Sequence, residues 1–152
     1  MRIADYKQWK SLLFIIPNFN DQDNKRFDLF REQILKHNPK VVMNAVRWNP
    51  DKKAAKAKDY VRAANEWNPT DFNWLGKHSN QGIQDYFNRP YDAMIVFSKD
   101  LFPKAMKIVQ QSRSNLRIAF EEDYSDFDVI LKAEENNLAK QFELIERYFF
   151  KG

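Results

Sequence analysis

Three short stretches of this chain are largely apolar without the polar alternation of a half-exposed strand. They are SLLFIIP at 11–17, VVMNAVRW at 41–48 and YDAMIVFS at 91–98. A run of this length and composition reads as a strand covered on both faces, and Pro17 ends the first. Segments with helical periodicity lie between them. Phe27, Phe30, Ile34 and His37 share one face over 24–37, widened by Leu35. Leu101, Ala105, Ile108 and Val109 do the same over 101–112, as do Leu138, Phe142, Ile145 and Phe149 over 137–150. Strand and helix alternate, which predicts a parallel sheet with helices on both sides. The expected fold is a single three-layer α/β domain over 1–152, flavodoxin-like or Rossmann-like, with a mainly parallel sheet of about five strands.

The remaining elements follow by the same reasoning. LRIAFEED at 116–123 and DFDVILKA at 126–133 read as strands, and QGIQDYFN at 81–88 as a short helix. TDFNWLGK at 70–77 reads as a short third strand or an ordered loop. The alanine- and lysine-rich segment 51–67 predicts a helix with Ala54, Ala57, Val61 and Ala64 on a thin stripe. Residues 1–10 are expected to be a flexible or docking N-terminal segment, with no apolar core of a signal peptide. The longest apolar run, 12–16, is far short of the ~20 residues that span a bilayer.

Composition narrows the chemistry. With no cysteine, disulfides and thiolate metal sites are excluded, and a cytoplasmic setting is expected. The net charge of +4 is mild, and no RNP, zinc-finger or basic-zipper pattern accompanies it. Three glycines, Gly76, Gly82 and Gly152, leave no G-x-G-x-x-G and no Walker-type loop. The two histidines, His37 and His78, form no H-E-x-x-H, and no serine sits in a G-x-S-x-G elbow. These absences lean away from an enzyme. No catalytic residue, metal ligand or cofactor is expected.

Several stretches could nevertheless bind. The loop after the first strand carries Asn18, Asn20, Asp21 and Asp23 where ligands of parallel sheets sit. Lacking glycine, it reads first as a turn and helix cap. EEDYSDFD at 121–128 crowds carboxylates together, but not at the spacing of a calcium loop. It reads as a solvated acidic loop. Lys52, Lys53, Lys56, Lys58 and Arg62 make the 51–67 helix basic, diluted by Asp51, Asp59 and Glu66. DFNWLGK at 71–77 places an aromatic, an amide, a glycine and a lysine in one loop, where Trp74 plugs the core edge or offers a stacking face.

The DFNWLGK segment, followed by YDAMIVFS, VQQSRSNLRIAF and the aromatic-rich FELIERYFF, resembles a family of small bacterial α/β proteins of about this length. The family carries a D-F-N-W-x-G-K segment and has no activity attached to it. The resemblance covers most of residues 11–150. Leu75 stands where the family has an aromatic, and Ala119 where its basic strand runs into glycine. The resemblance implies a fold and a size, not a reaction.

Three functional readings follow, in order. The first is a non-catalytic domain acting through self-association or a protein partner, supported by the surplus of aromatics. The second is a small-molecule or nucleotide-related binder or enzyme using the crevice at the strand ends, with Asn18, Asn20, Asp21, Asn73, Trp74, Lys77, Ser98 and Asp123 as its ligand-binding candidates. The third is salt-sensitive nucleic-acid binding through the 51–67 helix, which the diluting acids make the least favoured.

Overall fold

The computed structural model describes residues 8–73, 75, 77–97, 101, 103–120, 127–132 and 137–150. In chain order the elements are β1 (Ser11–Pro17), α1 (Asp21–His37), β2 (Val42–Trp48), α2 (Lys52–Ala55), β3 (Glu66–Trp67), α3 (Gln81–Asn88), β4 (Tyr91–Val96), α4 (Pro103–Gln111), β5 (Ser114–Ala119), β6 (Val129–Ile130) and α5 (Leu138–Ile145). The chain continues from α5 as a π-helix over Glu146–Phe150.

Among the described residues all strand pairs are parallel, and the sheet is six-stranded in the order β3-β2-β1-β4-β5-β6. That count corrects the expected five. β1 lies in the middle because it is apolar on both faces. Leu12, Phe14 and Ile16 pack with Phe27, Phe30 and Ile34 of α1 and Phe142 and Ile145 of α5. Leu13 and Ile15 face the opposite side, with Ile83 and Phe87 of α3 and Ala105 and Val109 of α4. The two faces of one strand thus draw four helices, as the absence of polar alternation requires.

The first face is a phenylalanine cluster. Phe30 stacks on Phe142 at 4.4 Å between centroids, and Phe14 meets Phe27 edge-on at 5.4 Å. Offset and edge-to-face rings add to their burial energy. Trp9 joins this side, 5.5 Å from the Phe149 ring, and its carbonyl accepts a 2.7 Å hydrogen bond from Asn38 Nδ2.

The predicted helix over 51–67 is the main correction. α2 has four residues, and Glu66–Trp67, inside the predicted helix, is the third strand. Ala54, Ala57 and Ala64 are exposed, and Val61 is 88% exposed. A stripe of methyl groups offers little area to bury, whereas the Trp67 ring is fully buried, 5.1 Å from Trp48. Strand pairing of Trp67 with Trp48 wins over local helix propensity. Lys58 and Arg62 therefore lie beyond the helix on which a continuous basic face over 51–67 was expected. Of the two alternatives for 70–77, the described residues of the segment form a loop and no strand. It begins with a 3-10 turn at Pro69–Asp71, and Phe72 bridges His78.

Candidate functional site

The carboxyl ends of the strands on the β2–β3 side open into a cleft of about 620 Å³. Its construction starts from β2. Asn49 follows the strand buried, and its Oδ1 accepts from the Asp51 N–H at 3.1 Å. Asp51 in turn caps α2 by accepting from the Ala54 N–H at 3.0 Å. Lys52 in α2 and Lys56 at its end reach the cleft, and Lys104, from the first turn of α4, reaches it from the other side. Pro50, Pro69 and Phe72 form apolar walls, with Thr70 and Asn73 as neutral polar groups.

Behind the cleft a buried polar network fixes the chain that replaces a long helix. Glu66 and Asp71 are 4% and 5% exposed. Glu66 Oε1 accepts from the Tyr60 hydroxyl, and its Oε2 accepts from Asn68 Nδ2 at 2.8 Å. Asp71 Oδ2 accepts from Arg62 Nη2 and, at 3.0 Å, from the Asn68 N–H. The same Arg62 nitrogen donates to the Glu66 carbonyl at 2.8 Å. Asn68 Oδ1 accepts from the Thr70 N–H at 2.9 Å, which completes a capping box around the 3-10 turn. A buried carboxylate needs hydrogen bonds or a counter-charge: both of these are hydrogen-bonded, and Asp71 is also ion-paired with Arg62. Asp71 raises the Arg62 guanidinium above its ordinary range through their hydrogen bond. Burial, and then donation to Glu66, raises the Tyr60 hydroxyl.

His78 closes the network's lower edge. Its Nε2 accepts from Trp67 Nε1–H at 3.0 Å, so the ring is neutral with its proton on Nδ1. Burial lowers its pKa, opposed by the negative charge of Asp71 and a hydrogen bond with Gln84. The sign follows. A histidine with a depressed folded pKa binds fewer protons folded than unfolded, so its contribution is complete above the ordinary value of about 6.5 and is lost as pH falls through the folded value. We expect the stability advantage of the native protein over a His78→Gln variant to be constant above about pH 7 and to shrink on acidification. Urea melts of both proteins from pH 7.5 to 5 measure this, and a pH-independent difference would contradict it.

The sequence-predicted residues divide into three groups. Asn73 lines the cleft, while its Oδ1 accepts from the Leu75 and Lys77 N–H groups at 3.0 and 2.8 Å. Lys77 is exposed and closes that turn through its backbone without lining the cleft. Asn18, Asn20 and Asp21 stand apart at the end of β1 and do not line the cleft. Asn20 caps α1 by accepting from the Asp23 N–H at 2.8 Å, and Asp21 and Asp23 occupy the first turn, as the turn-and-cap reading expects. Trp74, Ser98 and Asp123 lie outside the described residues, as does most of the acidic loop. Of that loop, Asp128 is described, and it accepts from the Arg117 N–H at 2.8 Å. Thr70 and Lys104 escaped the sequence reading. Lys52 and Lys56 were legible as basic residues but assigned to a helix face.

A parallel sheet in the order 3-2-1-4-5-6, helices on both faces and a cleft at the strand carboxyl ends define a Rossmann-type α/β domain. The chain belongs to the family of unknown function DUF6913, whose model matches residues 2–150. That agrees with the resemblance to a family of about this length with no activity attached. No curated protein and no solved structure matches the chain. Among the described residues no helix is long and apolar enough to cross a membrane.

Proposed function

We propose that this chain is a non-catalytic binding protein for a small phosphate-bearing molecule, held in the cleft at the ends of β2 and β3. The observation that supports it is electrostatic. Lys52, Lys56 and Lys104 come from two separate segments to one cleft whose lining, among the described residues, includes no carboxylate. Low-dielectric walls such as Phe72, Pro50 and Pro69 strengthen such a field, and the cleft's size suits a small ligand. The mode of binding differs from a glycine-rich cradle. Side-chain ammonium groups replace backbone N–H groups, which fits a chain with no G-x-G-x-x-G and no Walker-type loop. Asn73 Nδ2, whose partner oxygen is already committed to the turn, is a further donor.

The test is thermal unfolding in orthophosphate at constant ionic strength. At ~100 times its Kd, a ligand stabilises by about 2.7 kcal/mol, roughly 5–10 °C for a chain of this length. The expected result is a concentration-dependent shift that disappears in a Lys52→Gln/Lys56→Gln/Lys104→Gln variant. The three lysines are exposed, so the variant itself should melt within a few degrees of the native protein. An equal phosphate shift in both proteins would overturn the assignment. Asn18→Ala should leave the shift unchanged.

Association is the second reading. Its sequence support is the surplus of aromatics, and among the described residues the exposed large apolar ones are Leu29, Leu35, Val42, Val61, Leu75 and Tyr148, of which just the last is aromatic. What favours it instead is β2, where Met43 and Ala45 stay half-buried. A homodimer burying this face would show in sedimentation as a concentration-dependent mass. A cytoplasmic setting, which suits a cysteine-free chain, belongs to the same proposal.

A further inference from the structure

Lys104 does not belong to one cleft alone. It also lines a second groove of about 540 Å³ between α3 and α4, together with Lys107, Gln84, Asn88, Phe87 and Ile108. Lys104 and Lys107 are three residues apart on a nine-residue helix, PKAMKIVQQ, that contains no acidic residue. Neighbours at that spacing share a helix face, and two cations there repel each other. Among the described residues no carboxylate lines either cleft. The one acid within α3, Asp85, is exposed and accepts from Gln81 Nε2 at 2.8 Å. Gln84 Nε2 donates to Asn88 Oδ1 at 3.2 Å, which leaves the Asn88 amide nitrogen as a donor toward an anion. The cationic strip therefore runs from Lys52 and Lys56 across Lys104 to Lys107.

We infer that the ligand is a polyanion, a compound carrying a chain of phosphates that crosses Lys104 from the strand-end cleft into the α3–α4 groove. This rests on the anion-binding reading of the first cleft and extends it. A lone phosphate among Lys52, Lys56 and Lys104 leaves Lys107 without a counter-charge. A phosphate chain bridges Lys104 and Lys107 and turns their repulsion into a shared contact.

Calorimetric titration with inorganic orthophosphate and inorganic tripolyphosphate, at one ionic strength, separates the two levels. Tripolyphosphate is expected to bind at least about tenfold more tightly. Lys107→Gln should weaken tripolyphosphate roughly tenfold and leave orthophosphate unchanged. Lys53→Gln, an exposed lysine that lines neither cleft, should change neither. If both anions bind and Lys107→Gln has no effect, the polyanion inference fails while the first cleft stands. If Lys53→Gln weakens tripolyphosphate as much as Lys107→Gln does, the attraction is diffuse and the inference is overturned. If neither anion binds, the reading beneath it fails as well.

Discussion

Replacing Phe14 by alanine should cost about 3–5 kcal/mol of folding stability, the range for emptying a buried phenylalanine site. Phe14 is fully buried in the central strand, and its ring centroid lies 5.4, 5.9 and 6.2 Å from those of Phe27, Phe30 and Phe97. These rings come from α1 and from the chain just after β4, so the void would open between separate elements that cannot close together on it. The midpoint of thermal unfolding should fall by roughly 10 °C or more. Phe14→Leu, which keeps most of the volume, should lose roughly 1–2 kcal/mol. Val61→Ala, at an 88% exposed position, should stay within about 0.5 kcal/mol of the native protein. Urea melts of the three variants measure the order. A Phe14→Ala loss below about 1 kcal/mol would mean that the centre of the sheet is not packed as described.

That core was legible because it is written in periodicity. β1 occupies Ser11–Pro17, the residues of its apolar run, and α1 extends the expected 24–37 helix back to the first residue after its Asn20 cap. Both signals are local, and burial reinforces them. Segment 51–67 failed for the opposite reason. Its alanines and lysines state a helix preference worth tenths of a kcal/mol per residue, and against that stand the fully buried Trp67 ring and the paired groups of Arg62, Glu66 and Asp71. Trp48, the partner of Trp67, lies outside the segment, and composition alone does not tell that Arg62 bonds the Asp71 carboxylate. The same holds for the cleft. Asn73 was visible because asparagine in a loop is itself a signal, but Lys104 looks like any surface lysine until the β4–α4 crossover carries it to the strand ends. The repeated lysine pair of α4, with no acid beside it, was the one sequence trace of the second groove.

Arg62→Met should destabilise the protein by about 2–3 kcal/mol and weaken phosphate binding in the folded state as well. The substitution keeps much of the aliphatic stem and removes the guanidinium. Asp71, whose side chain is 6% exposed, then keeps a buried carboxylate with the Asn68 N–H on Oδ2 but no cation, and the Glu66 carbonyl loses a donor. Breaking a fully buried ion pair costs about 3–5 kcal/mol. The lower figure applies here because the Arg62 side chain is 34% exposed, so water can reach its place. Asp71→Asn in the same background removes the stranded charge and should restore part of the loss. A double-mutant cycle on Arg62 and Asp71 isolates the pair, and a coupling below about 0.5 kcal/mol would show that it is not the clamp on this segment. Binding should follow stability for a geometric reason. Asp71 lies between Thr70 and Asn73, both of which line the cleft, and its own carbonyl accepts from the Ser79 N–H at 2.7 Å and hydroxyl at 2.9 Å. Loosening Asp71 therefore loosens one wall of the cleft while leaving Lys52, Lys56 and Lys104 in the chain. Well below its unfolding midpoint, the Arg62→Met protein should bind phosphate more weakly than the native one. Unchanged affinity there would separate the clamp from the site and leave the ion pair a purely structural role.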